Sequence, residues 1–208
     1  MFLDPLRLSP DGDLPGPVLT EVTALYVSNH AFHALSGDFP DPYGIRPEQV
    51  AAVLAHELSG PHTEVLLARE AGLLVGIAVT LCEHPDPADP DPWIGLLMVD
   101  ASLHGRGHGR RLAALVEDRL RAAGHTAVRL AVLEDNAPGL AFWTALGWTE
   151  IGRRRDHGLG RPCRVLRASP SPARTPPRKR SPAVPPRTAS PPRPGRSPCP
   201  APRARRTR

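Results

Sequence analysis

The stretch from Trp93 to Ala123 constrains this chain more than any other. Its first part, WIGLLMVD, reads as a strand, and glycines at 105, 107 and 109 follow within a few residues. Leu112, Leu115, Val116 and Leu120 then recur at helical spacing, with Gly124 as the stop. A strand that turns into a helix through glycines leaves the first N–H groups of the helix without intrahelical partners, at the end that carries about half a positive charge. Glycine has no Cβ, so an anion can approach that backbone closely. Arg106, Arg110 and Arg111 add charge at the same place, and a diphosphate is the natural guest. The spacing G-x-G-x-G is not the G-x-G-x-x-G of a dinucleotide-binding turn, and no G-K-[ST] follows, so neither a Rossmann site nor a Walker loop is supported.

Around this segment the pattern is that of an α/β domain. Leu6 to Leu8 alternate as a short strand would, and Asp13 is placed to cap a helix carrying Val18, Val22, Leu25 and Tyr26. Pro47 opens a second helix ending near Leu58. Glu64 to Glu70 and Leu73 to Leu81 read as a hairpin turning at Ala71-Gly72, and HPDPADPDP as a proline-stiffened loop. Ala127 to Leu133 reads as a strand, Pro138 to Leu146 as a short helix and Trp148 to Ile151 as a strand, with residues 164 to 166 as a weak last one. Strands alternating with helices in the C-terminal half indicate a mixed sheet. The stretch from His30 to Arg46 carries no decodable signature.

Composition divides the chain in two, a folded domain over residues 1–168 and a tail over residues 169–208. The tail has Pro at 13 positions, 11 Arg or Lys and no acid, and is expected to be disordered. Removing its 11 cations from the chain's 26 leaves 15 against 21 acids, so the expected domain is acidic despite a formal net charge of +5. Nucleic-acid binding would therefore belong to the tail and not to the fold. Three scattered cysteines form no disulfide or metal pattern, and the N-terminus has no charged lead or apolar stretch of the signal-peptide kind. A cytoplasmic protein without membrane spans follows. His104 and His108, four apart, lack an accompanying carboxylate or cysteine at ligand spacing, so no metal is expected.

The segment His104-Gly105-Arg106-Gly107-His108-Gly109 resembles the [QR]-x-x-G-x-[GA] hallmark of the GNAT superfamily of acetyl-CoA-dependent N-acetyltransferases, with His104 in place of Arg or Gln. A second family motif, N-x-x-A-x-x-F-Y-x-x-x-G-[FW], is echoed from Asn136 to Trp148, with Gly139 and Trp143 as departures. The resemblance implies a mixed, mostly antiparallel sheet flanked by helices on both faces. It implies acetyl-CoA as co-substrate, held by Gly105, Arg106, Gly107, His108, Gly109 and Arg110. The backbone of Leu97, Met98 and Val99 would pair with the pantetheine arm, and Asn136 would hydrogen-bond it. Phe142 and Trp148 are expected in the core.

The same resemblance implies direct attack of a primary amine, on a small molecule or peptide, upon the thioester. An amine of pKa near 10.4 is neutral about one time in a thousand at pH 7.4, a deficit of roughly 4 kcal/mol that a base or desolvation must offset. The family's usual glutamate and tyrosine positions hold Ala131 and Trp143, neither able to move a proton. Glu83, at the end of the third strand, is the expected base, with His84 second. Glu57, Glu64, Glu83 and Asp86 would favour a cationic acceptor. The competing expectation is a module that binds acetyl-CoA with little or no turnover.

Overall fold

The computed structural model describes residues 1–168 other than 85, 87 and 157, so the tail and its expected disorder lie outside the described residues. In chain order the elements are β1 (Phe2–Pro5), α1 (Gly16–Ser28), α2 (His30–Ser36), α3 (Pro47–Ser59), β2 (Thr63–Glu70), β3 (Leu73–Leu81) and β4 (Trp93–Val99). A 3-10 turn (Ala101–Leu103), α4 (His108–Ala122), β5 (Val128–Leu133), α5 (Ala137–Ala145), β6 (Thr149–Arg155) and β7 (Pro162–Ala168) complete them. The strands form one sheet in the order β1-β2-β3-β4-β5-β7-β6. Every neighbouring pair is antiparallel except β4 and β5, so the expected mixed, mostly antiparallel sheet is what forms.

Helices cover the two faces unequally. On one face α4 buries Leu112, Val116 and Leu120 against Ile94, Val99, Leu130 and Val132, and α5 adds Trp143 beside Trp148. Each such aliphatic side chain stabilises the fold by about 1.5–3 kcal/mol. On the other, α1 and α3 set Val22, Leu25, Val50 and Leu54 on Val65, Leu67, Ile77 and Val79. That second layer stops at β4, leaving this side of β5, β7 and β6 without a helix among the described residues; Arg129 and Ala131 lie there, alternating with the core residues Val128, Leu130 and Val132. No described helix is long and apolar enough to cross a membrane.

Local chemistry explains where elements begin. Pro47 starts α3, and Gln49 Oε1 reaches back 2.9 Å to the Arg46 N–H, satisfying a donor that the helix cannot. Ala71 and Gly72 both take positive φ, 51° and 84°, which suits a two-residue turn to the twist of the β2–β3 hairpin. Three expectations need correction. The first strand is Phe2–Pro5, paired with Leu66 to Arg69, whereas Leu6 follows it as a buried anchor. Asp13 does not cap α1, because its backbone closes a turn on Ser9, and Pro15 holds the cap position. The weak last strand is full-length, and lies inside the sheet between β5 and β6, where backbone pairing on both edges outweighs its polar sequence.

The β4–β5 pair is short. Trp93 pairs with Arg129 and Ile94 with Leu130, and there the ladder ends. Asp91 fastens this closed end: its Oδ2 accepts from Arg129 Nε on β5 and from Arg167 Nε on β7, each at 2.8 Å. Asp89 adds an ion pair to Arg129 at 2.8 Å and accepts from the Trp93 indole at 3.0 Å. The Arg167 and Arg129 guanidiniums hold the Asp91 carboxyl below its ordinary pKa. A depressed carboxylate pKa gives stability that is present above the unfolded value, about 3.9, and lost as pH falls through the folded one. Asp91→Asn should therefore cost about 1.5–3 kcal/mol at neutral pH in denaturant unfolding, with a deficit that shrinks below about pH 4.

Candidate functional site

Beyond Ile94 and Leu130, β4 and β5 part and leave a wedge between two strand edges. The opening coincides with a bulge: Val79 pairs with Leu96 and Thr80 with Ile94, so Gly95 has no partner. Leu97, Met98 and Val99 remain paired with β3 through Ala78, Ile77 and Gly76 and are unpaired toward β5. The carbonyl of Val99 accepts from Asn29 Nδ2 at 3.0 Å and bonds His104 Nε2 at 2.9 Å, which requires that ring nitrogen to carry the proton. His104 thus staples the loop to the strand end by its side chain.

Both parted strands lead into helices on the same face, so two helix N-termini flank the wedge at the carboxyl ends of the strands. Gly107 is the cap residue of α4 with φ 83°, and Gly105 has φ 73°. A Cβ at either would meet no atom within 4 Å, so the reason for glycine here is backbone conformation and open approach. Among the described residues, none of the six backbone N–H groups from Gly105 to Arg110 donates to a protein acceptor. Gly109 lies against Phe142 of α5, whose ring carbon would stand 3.2 Å from an added Cβ, so the start of α4 packs on the body of α5.

The cations of this loop divide. Arg111 is 2.7 Å from Glu70 of β2, and His108 Nδ1 is 3.3 Å from the same carboxylate. Arg106 and Arg110 have no carboxylate partner among the described residues. Asn136 caps α5, its Oδ1 accepting from the Gly139 N–H at 2.9 Å. A Cβ on residue 139 would come within 2.6 Å of the Asn136 amide, which accounts for glycine where the family pattern has alanine. The wedge therefore gathers residues 97–99, 104–110 and 136.

Glu83 lies by the closed end of the wedge, away from the glycine loop. Leu81 pairs with Trp93 at the closed end, whereas Gly76 pairs with Val99 at the open end, about 17 Å along β3. Glu83 follows Leu81, is 71% exposed and stands 3.5 Å from His62. His84 packs on the Trp93 ring at 5.6 Å between centroids. Ala131 is exposed on the helix-free side of β5, and Trp143 is buried between Phe142 and Trp148. Glu64 is consumed by a bidentate pair with Arg119 and lends no net charge to an acceptor.

Two groupings escaped the sequence. Tyr26 of α1 stacks on His33 of α2, Phe39 meets both rings edge-on, and both ring nitrogens of His33 are buried without a partner among the described residues. Burial lowers the His33 pKa, and it raises those of Tyr26 and Glu57 nearby. The second is a depression beside Trp93, Arg129 and Arg154. Neither has a local motif, because each joins residues from distant elements. No group of three or more His, Cys, Asp or Glu is placed to hold a metal among the described residues.

Comparison with known proteins follows this geometry. The model of the acetyltransferase (GNAT) family matches residues 29–148. Over 105 residues the chain is 33% identical to the N-alpha-acetyltransferase RimI of Mycobacterium tuberculosis, covering 50% of this chain and 63% of that one. Over 133 residues it is 34% identical to the mycothiol acetyltransferase of Thermomonospora curvata, covering 64% of this chain and 42% of that one. The chain thus matches less than two thirds of the length of either relative. An acetyltransferase from Thermus thermophilus shares the fold, with a TM-score of 0.59 at 19% identity over 81% of this chain and 97% of that one.

Gly107→Ala places a Cβ in the left-handed region at the start of α4. Thermal unfolding should show a loss of about 1–2 kcal/mol, and unchanged stability would mean that the loop conformation is not fixed by this glycine.

Proposed function

The chain belongs to the GNAT acetyltransferase family, and on that footing we propose that it transfers an acetyl group from acetyl-CoA to a primary amine of a small molecule or peptide. The observation that carries this reading is the set of six unpartnered N–H groups at Gly105 to Arg110, flanked by the unpaired Arg106 and Arg110. A diphosphate there would receive backbone hydrogen bonds and the field of two helix starts. The free edge of Leu97, Met98 and Val99 supports a role in lining the pantetheine arm, and the Nδ2 of Asn136, which no described protein group uses, supports a contact from the opposite wall. His108 is turned toward Glu70, so its contribution to the ligand is its backbone N–H.

When bound, the thioester supplies an acyl carbon that an amine attacks directly, with a thiolate of pKa near 8.5 as leaving group. The chain's own tasks are to orient the two partners and to take a proton from the ammonium. We assign the second task to Glu83, acting through a water, because it stands at the vertex end of the wedge beside the Trp93 strand start. One relative is named an N-alpha-acetyltransferase, which supports a peptide amine as one acceptor class. The domain is assigned to residues 1–168, with the basic segment 169–208 outside it and any nucleic-acid contact confined to that segment.

A binding module with little turnover is the second reading, favoured by Ala131 and by the burial of Trp143, which removes the usual acid and base positions. Thiol release from acetyl-CoA across a panel of primary amines separates the two. With a responsive amine, Glu83→Gln should lower kcat/KM at neutral pH and leave a rate that climbs about tenfold per pH unit toward the amine pKa, following the neutral fraction. A pH profile identical to the parent's removes Glu83 from the mechanism.

A further inference from the structure

The described helices leave one side of β5, β7 and β6 uncovered, and there lies a shallow, solvent-open depression of about 240 Å³, lined by Asp89, Trp93, Arg129, Gly152, Arg154 and Val165. It begins where the wedge ends, because Trp93 and Arg129 form the first of the two β4–β5 pairs. Val165 is the register partner of Ala131, one residue past the point where the strands part. The space borders the vertex from the side opposite α4 and α5, and it is smaller than the pockets that take drug-sized ligands.

Its walls are fixed. The Trp93 indole donates to Asp89 at 3.0 Å, and Arg129 is held by Asp89 and Asp91 at 2.8 Å each. Arg154 lies over the Trp93 ring, its guanidinium carbon 4.1 Å from the ring centroid. A cation held over an aromatic face keeps its N–H groups available for hydrogen bonding. The neighbouring arginines are occupied: Arg153 by Glu134 and Glu150, Arg164 by Glu150, Arg161 by Asp156, Arg167 by Asp91 and Arg155 by the Gly160 carbonyl. Arg154 has neither a carboxylate partner nor a hydrogen bond to a protein acceptor among the described residues. A guanidinium anchored over a ring and without a carboxylate partner suits a planar anion, a carboxylate above all.

We propose that this depression is an acceptor subsite in which Arg154, stacked on Trp93, binds a carboxylate carried by the amine that is acetylated. The inference rests on the transferase reading and narrows it to a zwitterionic acceptor of amino-acid type. The acceptor's ammonium end then falls toward the other end of the depression, where His84 packs tilted on the same ring and Glu83 is its chain neighbour. This differs from the purely cationic acceptor suggested by the acids of the sequence, of which Glu64 is already neutralised by Arg119.

The test uses the full chain loaded with CoA or acetyl-CoA and three probes, glycine, β-alanine and γ-aminobutyrate, each against its carboxamide. Binding is read by tryptophan fluorescence, with Trp93→Phe identifying the responding ring, and turnover by thiol release. At least one carboxylate should bind at least about tenfold more tightly than its amide, the discrimination expected of a charge-assisted pair. Arg154→Gln should bring that ratio to within about twofold while CoA affinity and melting temperature stay at the parent's values, and Arg154→Lys should restore part of it. Absence of a preference in the parent, or its persistence in Arg154→Gln, overturns the subsite. Carboxylate binding that depends on Arg154 without any thiol release keeps the subsite and overturns the transferase reading instead.

Discussion

Two parallel strands that share only two ladder positions before separating are the constraint on which the rest of this molecule depends. Unpaired strand edges inside a sheet are costly unless something satisfies them. The sheet can sustain the gap because its closed end is heavily fastened: one carboxylate, Asp91, holds arginines from both β5 and β7, and Asp89 fixes the adjoining Trp93 and Arg129. Outer pairings do the complementary work, with β3 retaining β4 through its last residue and β7 retaining β5 through Leu133. Strong ladders on the outside and a carboxylate clamp at the vertex hold the wedge open.

The opening has polarity as well as shape. Because β4 and β5 run the same way and both feed helices on one face, their carboxyl ends bring two positive helix termini together. The contact of Gly109 with Phe142 packs the start of α4 against α5. Arg111 and His108 are drawn back by Glu70 and act as struts between α4 and β2, leaving Arg106 and Arg110 as the cations available to a ligand. At the other end of the wedge Arg154 is likewise left over after its neighbours are paired. Arg106, Arg110 and Arg154 are thus arginines without a carboxylate partner among the described residues, in a sequence whose residues 1–168 are acidic in total.

The glycine turn from β4 into α4 was legible because its signals are local: glycines, helix start and arginines lie within a few residues. The α3, β2, β3 and α4 elements were legible for the same reason, through proline, turn and periodic apolar signals. What could not be read depends on partners far apart in sequence. Residues 164–166 look weak alone, yet β7 is paired along both edges. His30 to Ser36 has no helical pattern, and α2 exists because Asn29 is bonded to Val99 while His33 packs on Tyr26 and Phe39. His104 departs from the family pattern, and the structure gives it a strut to a strand carbonyl that composition could not suggest. The depression beside Trp93 was illegible, since Arg154 and Trp93 are 61 residues apart and meet only in the folded sheet.

The central claim is that the backbone from Gly105 to Arg110 receives the diphosphate of the cofactor. An amide NMR titration of the full chain with CoA, beside one with pantetheine, which lacks the diphosphate, tests it most directly. CoA should move the amide protons of Gly105 to Arg110 downfield more than any others, while pantetheine leaves them near their starting positions. Shifts of equal size with both compounds, or none in these six residues, would contradict it.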